Sequence, residues 1–348
     1  MTADPVEAAN LESVRRRWKV PALAAGLVHA DGGLELAAVG ERRRGHPDEP
    51  VREDDPWHVG SCAKAMTAVA LARLVERGDL GWDSPLTELF ADLDADVAWQ
   101  RVTLDEVLRH RGGVPANLDA AHMRAAWADT RPLTEQRTEA VARVLAAPPV
   151  RRGRFVYSNL GYVTAGAVVE RVTGLAYERA VAELVCEPLG ITSQGFGAPA
   201  GIRGHRGLVS LAGIGLGRGP ALDPTEPSSD NPLLLGPAGT LHLTVADWAR
   251  FLRLFLRGGD GPELVSPASL DRILGADAEP GQHGMGWAPA GPLPGVSFGQ
   301  QGSSTAWVAT ALLDGARERA AVVLVNDGRT AMLRRTALHA AHLLRPPA

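Results

Sequence analysis

The chain has 348 residues, enough to bury a large core in one big unit or in two closely associated ones. Apolar residues make up 45% and charged residues 22%, and the net charge is −4, which leaves neither a basic nucleic-acid footprint nor a polyacidic tail. No apolar run approaches the roughly 18 residues a membrane span needs, and Met1 to Leu11 shows no basic stretch followed by an apolar one, so a cytoplasmic protein without membrane or nucleic-acid partners is expected.

Val20 to Val39 reads as a β-hairpin, two apolar runs flanking the turn sequence Asp31-Gly32-Gly33. A helix is expected from about Cys62 to Arg77, with Met66, Val69, Ala70 and Leu74 on one face and Gly78 as its stop. Thr103 to Leu108, Glu135 to Leu145, Gly161 to Val172 and Tyr177 to Val185 also read as helices, the last closing at Pro188. Residues 195–239 are rich in Gly and Pro and keep no period, which predicts a long functional loop. Thr244 to Arg257 returns to helical spacing. Thr305 to Leu313 and Ala320 to Asn326 read as strands, and Thr330 to Leu344 as the final helix. The fold class this order predicts is α/β: an antiparallel sheet built from both chain ends, flanked by helices, with a helical lobe inserted. The expected division gives 1–82 and 240–348 to the α/β part and 83–239 to the lobe, with a site in the cleft between them.

Of the 36 basic residues only Lys19 and Lys64 are lysines. Arg stays protonated, whereas a Lys can be neutralised by its surroundings and used as a base. Lys64 follows Ser61 at i+3 in Ser61-Cys62-Ala63-Lys64, so on a helix the two side chains share a face. A serine hydroxyl is a weak nucleophile that needs a neighbour to take its proton, and a buried Lys can do so. The plainer reading is a Ser that caps an ordinary helix. A second cluster, Tyr157-Ser158-Asn159, precedes the helix at Gly161. A phenol beside a cation becomes more acidic and can serve as a base, and the alternative is a turn with Asn159 as helix cap. A third, Gly299-Gln300-Gln301-Gly302-Ser303-Ser304-Thr305, is read as entering a strand. Gly302 allows close approach there, and the backbone N–H of Ser303 can face an oxyanion.

In this order the three clusters resemble the serine β-lactamase and penicillin-binding superfamily, in its class C-like branch with the family VIII carboxylesterases and related acyltransferases. Asp55-Pro56-Trp57-His58-Val59-Gly60-Ser61, Leu104 to Pro115, Glu187 to Thr192, Gly236-Pro237-Ala238-Gly239 and Gly284-Met285-Gly286-Trp287 carry the resemblance over nearly the whole chain. It implies that Ser61 is acylated, that Lys64 and Tyr157 share the proton work with Tyr157 as base, and that Asn159 orients Lys64 or a substrate carbonyl. It also implies Ser61 and Ser303 as oxyanion N–H donors. Gln300 departs from the family pattern, which has Lys or His at the start of this motif. Gln only hydrogen-bonds, which turns recognition away from carboxylate-bearing substrates.

The implied activity is a serine hydrolase acting on small esters or amides, with no cofactor. The alternatives are an acyltransferase or amide-forming enzyme, a penicillin-binding module without turnover, and a degenerate scaffold. Cys62 is read as packing, and no His/Cys spacing suggests a metal. His58 and His110 are read as structural, the arginine clusters at 15–17 and 42–44 as solvated surface, and Trp307 as pocket or core.

Overall fold

A computed structural model describes residues 6–211, 214–258, 263–279 and 281–345, so part of the N-terminal stretch and residues 212–213 of the long Gly/Pro-rich segment lie outside the described residues. The central sheet has six antiparallel strands. In chain order they are β1 (Ala22–His29), β2 (Leu34–Gly40), β3 (Ala288–Pro289), β4 (Val296–Ser303), β5 (Val308–Asp314) and β6 (Arg319–Val325), arranged β2-β1-β6-β5-β4-β3. The two ends of the chain therefore meet in one sheet, with Leu23 opposite Val325 and Val28 opposite Ala320.

Strand alternation explains why the sheet is buried on both faces. Leu23, Ala25 and Leu27 of β1 pack with Val323 and Val325 under helices α1 (Ala8–Trp18) and the C-terminal Ala331–Leu343, where Leu11, Trp18 and Met332 complete the layer. Ala22, Ala24 and Val28 face the other way, with Val322 and Leu324, onto the main core. The centre of that core is α2 (Ala63–Glu76), whose residues Ala63 to Ala72 are all buried. A helix stretch apolar on nearly every side belongs inside a protein, and the one cation in that buried stretch, Lys64, is only 1% exposed.

In the chain between β2 and β3 come α3 (Leu133–Leu145) and α4 (Asn159–Thr173). They are tied by Arg137, wholly buried, whose guanidinium reaches Glu170 Oε1 at 2.5 Å, Glu178, and the carbonyl of Leu234 at 3.0 Å. The 195–239 segment is more structured than a loop. It contains short strands at Gly195–Phe196, Val209–Leu211 and Ile214–Leu216, and a helical turn at Gly236–Gly239.

Other expectations shift. The helix begun at Tyr177 stays regular only to Val181, then widens into a π-turn over Ala182–Cys186 before Pro188, which has no N–H to continue it. The helix of 244–257 ends at Arg253. Helix α1 and those at Ala120–Ala128 and Pro267–Leu274 were not anticipated. The arginines at 42–44 are not solvated but half-buried and paired, Arg42 with Asp55, Arg43 with Glu49 and Arg44 with Asp327. No described helix is long and apolar enough to cross a membrane.

Candidate active site

Ser61 lies in a single 3-10 turn, Gly60–Cys62, that leads into α2. It is therefore not a cap, since Cys62 takes that position and caps with no side chain. Ser61 Oγ stands between two groups: Lys64 Nζ at 3.2 Å and the Tyr157 hydroxyl, which donates to it, at 2.8 Å. Lys64 Nζ also donates to Asn159 Oδ1 at 2.8 Å and to the Ala238 carbonyl at 2.6 Å. Burial disfavours its charge and brings its pKa down to about 7.

Tyr157 behaves differently from the expectation of a phenol made acidic by a cation. The residue is 43% exposed, but its hydroxyl lies in the cleft against Ser61, and burial there holds its pKa up at about 12 despite the hydrogen bond to Ser61. The phenol is a proton donor at neutral pH. Asn159 is the first residue of α4 and not its cap; the cap is Ser158, whose Oγ accepts from Gly161 N at 2.8 Å. Asn159 Nδ2 donates to Asn117 Oδ1, so the amide oxygen is left for Lys64.

The third motif forms the last part of β4 and does not enter a strand from a loop. Side-chain alternation follows: Gln300 and Gly302 are buried, while Gln301 points outward to Thr310 Oγ1 and the Leu333 carbonyl. A Cβ on Gly302 would lie 1.9 Å from the Val59 carbonyl oxygen and 2.8 Å from Ser61 N, and a Cβ on Gly60 would lie 2.7 Å from Ser303 N. Only glycines let β4 press this closely against the Ser61 turn.

Gln300 lines the cleft of about 180 Å³ above Ser61, together with Phe155, Tyr157, His283 and Trp287. It is 4% exposed, yet among the described residues neither its Oε1 nor its Nε2 has a hydrogen-bond partner, and Trp287 Nε1 is equally unpartnered.

Several neighbours were not singled out from sequence. The Ala238 carbonyl and Asn117 are the clearest, and both sit in or next to segments that carried the family resemblance. His110 also lines the cleft, with Nδ1 accepting from Ser158 N and its ring 4.6 Å from that of Tyr157. Burial and the nearby Lys64 bring its pKa down to about 3, so it is a neutral support for Tyr157. His58 accepts from Gly60 N and bonds Asp230, and Trp307 stacks on it in the core. Burial pushes the Cys62 thiol up, which suits packing.

With this geometry in hand, comparison with known proteins places the chain. A family model described as Beta-lactamase matches residues 12–345. The protein belongs to the beta-lactamase family. Among relatives in this family, penicillin-binding protein 4 of Amycolatopsis lactamdurans is 30% identical over 275 residues, covering 75% of this chain and 66% of that protein. The chain thus spans just under two thirds of that relative's length. Esterase EstB of Burkholderia gladioli is 28% identical over 302 residues, covering 79% of this chain and 75% of EstB. A class C beta-lactamase from Rhodobacter sphaeroides superposes with a TM-score of 0.75 at 19% identity, over 99% of this chain and 100% of its own, and shares the fold.

Proposed function

We propose that this beta-lactamase family protein is a serine hydrolase that acts on small, uncharged esters or amides through an acyl-Ser61 intermediate. The observation that carries the reading is Ser61 Oγ held between Lys64 Nζ and the Tyr157 hydroxyl. A neutral amine has two N–H groups and one lone pair. The two carbonyls, Asn159 Oδ1 and Ala238 O, account for both N–H groups, which leaves the lone pair for the Ser61 proton. Ser61 Oγ then attacks the carbonyl carbon while Lys64 takes its proton. The N–H groups of Ser61 and Ser303 donate to the oxygen as it gains charge. Tyr157, protonated at neutral pH, gives its proton to the departing alkoxide or amine and recovers one from Lys64. Water attacks the acyl-enzyme by the same route in reverse.

The unpaired amide of Gln300 supports a substrate that offers it a neutral hydrogen-bonding group. EstB, a relative covering most of this chain, is an esterase by name. The two free, buried cysteines support a reducing, cytoplasmic setting. A fluorophosphonate probe and a p-nitrophenyl ester test the reading. Labelling at Ser61 and hydrolysis that disappears in Ser61→Ala are expected; a folded protein that reacts with neither would sink it.

A second reading replaces water with an alcohol or amine acceptor, and the uncharged Gln300 favours it over carboxylate-directed chemistry. Here a panel of acceptors accelerates release of p-nitrophenol beyond the hydrolytic rate and yields the transferred product.

A further inference from the structure

Thr67 follows Lys64 by one turn of α2 and is wholly buried. Its hydroxyl has one proton to give. The Thr67 oxygen lies 2.8 Å from the Pro237 carbonyl, which can only accept, and 2.7 Å from the Tyr177 hydroxyl. The proton therefore goes to Pro237, and Tyr177 is the donor to Thr67 Oγ1. Burial holds the Tyr177 phenol above its ordinary range, so it keeps that proton at neutral pH. Tyr177 is anchored in turn: its backbone N–H donates to Glu170 Oε1 at 3.0 Å, and the Arg137 guanidinium lies 5.4 Å from its ring centre. Neither Thr67 nor Tyr177 lines the cleft above Ser61.

The next carbonyl along the chain is that of Ala238, one of the two that hold Lys64 Nζ. The peptide joining Pro237 to Ala238 is planar, so fixing the Pro237 oxygen fixes the plane from which the Ala238 carbonyl is aimed. Helix α4 holds the Pro237 ring from another side. A Cβ on Gly166 would lie 2.2 Å from Pro237 Cγ, so only glycine admits the ring there.

We propose that Thr67 and Tyr177 are positioning residues for the base: their hydroxyl chain fixes the Pro237–Ala238 peptide, so that Ala238 O holds one N–H of Lys64 and the amine's lone pair stays on Ser61. This rests on the reading of Lys64 as the base at Ser61. A carbonyl oxygen stabilises an ammonium more than a neutral amine. When Thr67 loses its hydroxyl, Ala238 O loses its aim, the ammonium form suffers more, and the lysine gives up its proton at lower pH. A general loosening of the core has the opposite sign, because water admitted to Lys64 favours the charged form.

Lys19 and Lys64 are the only lysines, so protein grown on lysine isotope-labelled at Cε gives two NMR signals, and the one absent from Lys64→Met belongs to Lys64. Its titration is followed beside the rate of fluorophosphonate labelling at Ser61. Thr67→Val keeps the shape without the hydroxyl. It should move the midpoint down by about one pH unit, as a weakened hydrogen bond to a charged group does, and slow labelling at high pH by about tenfold or more. Thr67→Ser, which keeps the hydroxyl, should restore both. Tyr177→Phe leaves Thr67 its proton but not its direction, and should move the midpoint the same way by less; it carries the test if Thr67→Val does not fold. A midpoint that stays in place or rises in folded Thr67→Val or Tyr177→Phe, or that Thr67→Ser fails to restore, overturns the proposal. A midpoint that moves as expected while Ser61 of the wild type takes no probe upholds the hold on Lys64 and overturns the catalytic reading alone.

Discussion

Lys64 Nζ and Asn159 Oδ1 lie 2.8 Å apart, and this contact, with the one to Ala238, decides which face of the amine meets Ser61. Both carbonyls want N–H donors, so the neutral amine is oriented with its lone pair towards the nucleophile. In the proposed mechanism the reactive form is the deprotonated one. With the pKa of Lys64 near 7, Ser61 acylation should rise about tenfold per pH unit below that value and level off above it, and no downturn is expected until Tyr157 loses its proton near 12. Rates of fluorophosphonate labelling across pH give the curve. Lys64→Met should lower the plateau by about 10²–10⁴ and remove the limb; a limb that persists would assign it to another group.

The same pKa makes a stability prediction. Burial lowers Lys64 from its ordinary 10.5 to about 7 in the folded protein, so between those values the unfolded chain binds more protons than the native one. Stability from this group therefore rises as pH increases through that window and is lost as pH falls to 7. The melting temperature of the wild type should climb from pH 7 to 9.5 relative to that of Lys64→Met. Parallel curves for the two proteins would mean that the lysine is not titrating in this range.

Asn159→Asp is nearly isosteric but places a negative charge on the atom that touches Lys64. An adjacent carboxylate favours the ammonium form and raises its pKa. The acylation limb should move to higher pH while the high-pH plateau stays within a few-fold of wild type, because the geometry is kept. Asn159→Leu, which removes the acceptor, should lower the plateau itself. If Asn159→Asp left the limb in place, Lys64 would not be the base.

The residues proposed to do the chemistry were more legible than the reasons they could. Lys64 and Tyr157 stand out because lysines and tyrosines are few, and Ser61 and Asn159 because their spacing places them at helix starts. The hairpin, α2 and the last two strands were legible because long apolar runs have a clear period. Strand β4 was not, since Val296 to Ser303 holds four polar residues and two glycines, and Gly302 is buried by tertiary contact with the Ser61 turn. Helix α1 was hidden by its charge: Arg15, Arg16 and Arg17 mask the buried Leu11 and Trp18. The Ala238 carbonyl was out of reach because a backbone acceptor has no sequence signature, and the state of Tyr157 depends on burial that spacing does not encode.

Gly302 has the tightest approach in the site. Its missing side chain leaves the Val59 carbonyl where a Cβ would be 1.9 Å away. Gly302→Ala must push β4 off the Ser61 turn and separate the two backbone N–H groups. Loss of one oxyanion donor costs about 10²–10³ in kcat. A drop of that size, with KM for a p-nitrophenyl ester changed far less and the fold intact by circular dichroism, is the expected result. Full activity in Gly302→Ala would remove Ser303 N from the mechanism.

Gln300 sets a trade between stability and recognition. Both of its polar atoms are buried without partners among the described residues, a cost that an apolar side chain of similar size avoids. Gln300→Met should therefore raise the unfolding free energy by about 1–3 kcal/mol while raising KM for neutral amide or ester substrates that use the amide. Gln300→Lys tests the same position from the other side. A cation restored at the cleft wall should improve kcat/KM for an ester bearing a free carboxylate relative to its methyl-ester counterpart by about tenfold. Denaturant curves for the first variant and paired kinetics for the second separate the two effects. If Gln300→Met gains no stability, its amide is satisfied by water in the resting protein. If neither variant changes the preference between charged and neutral substrates, Gln300 does not select them.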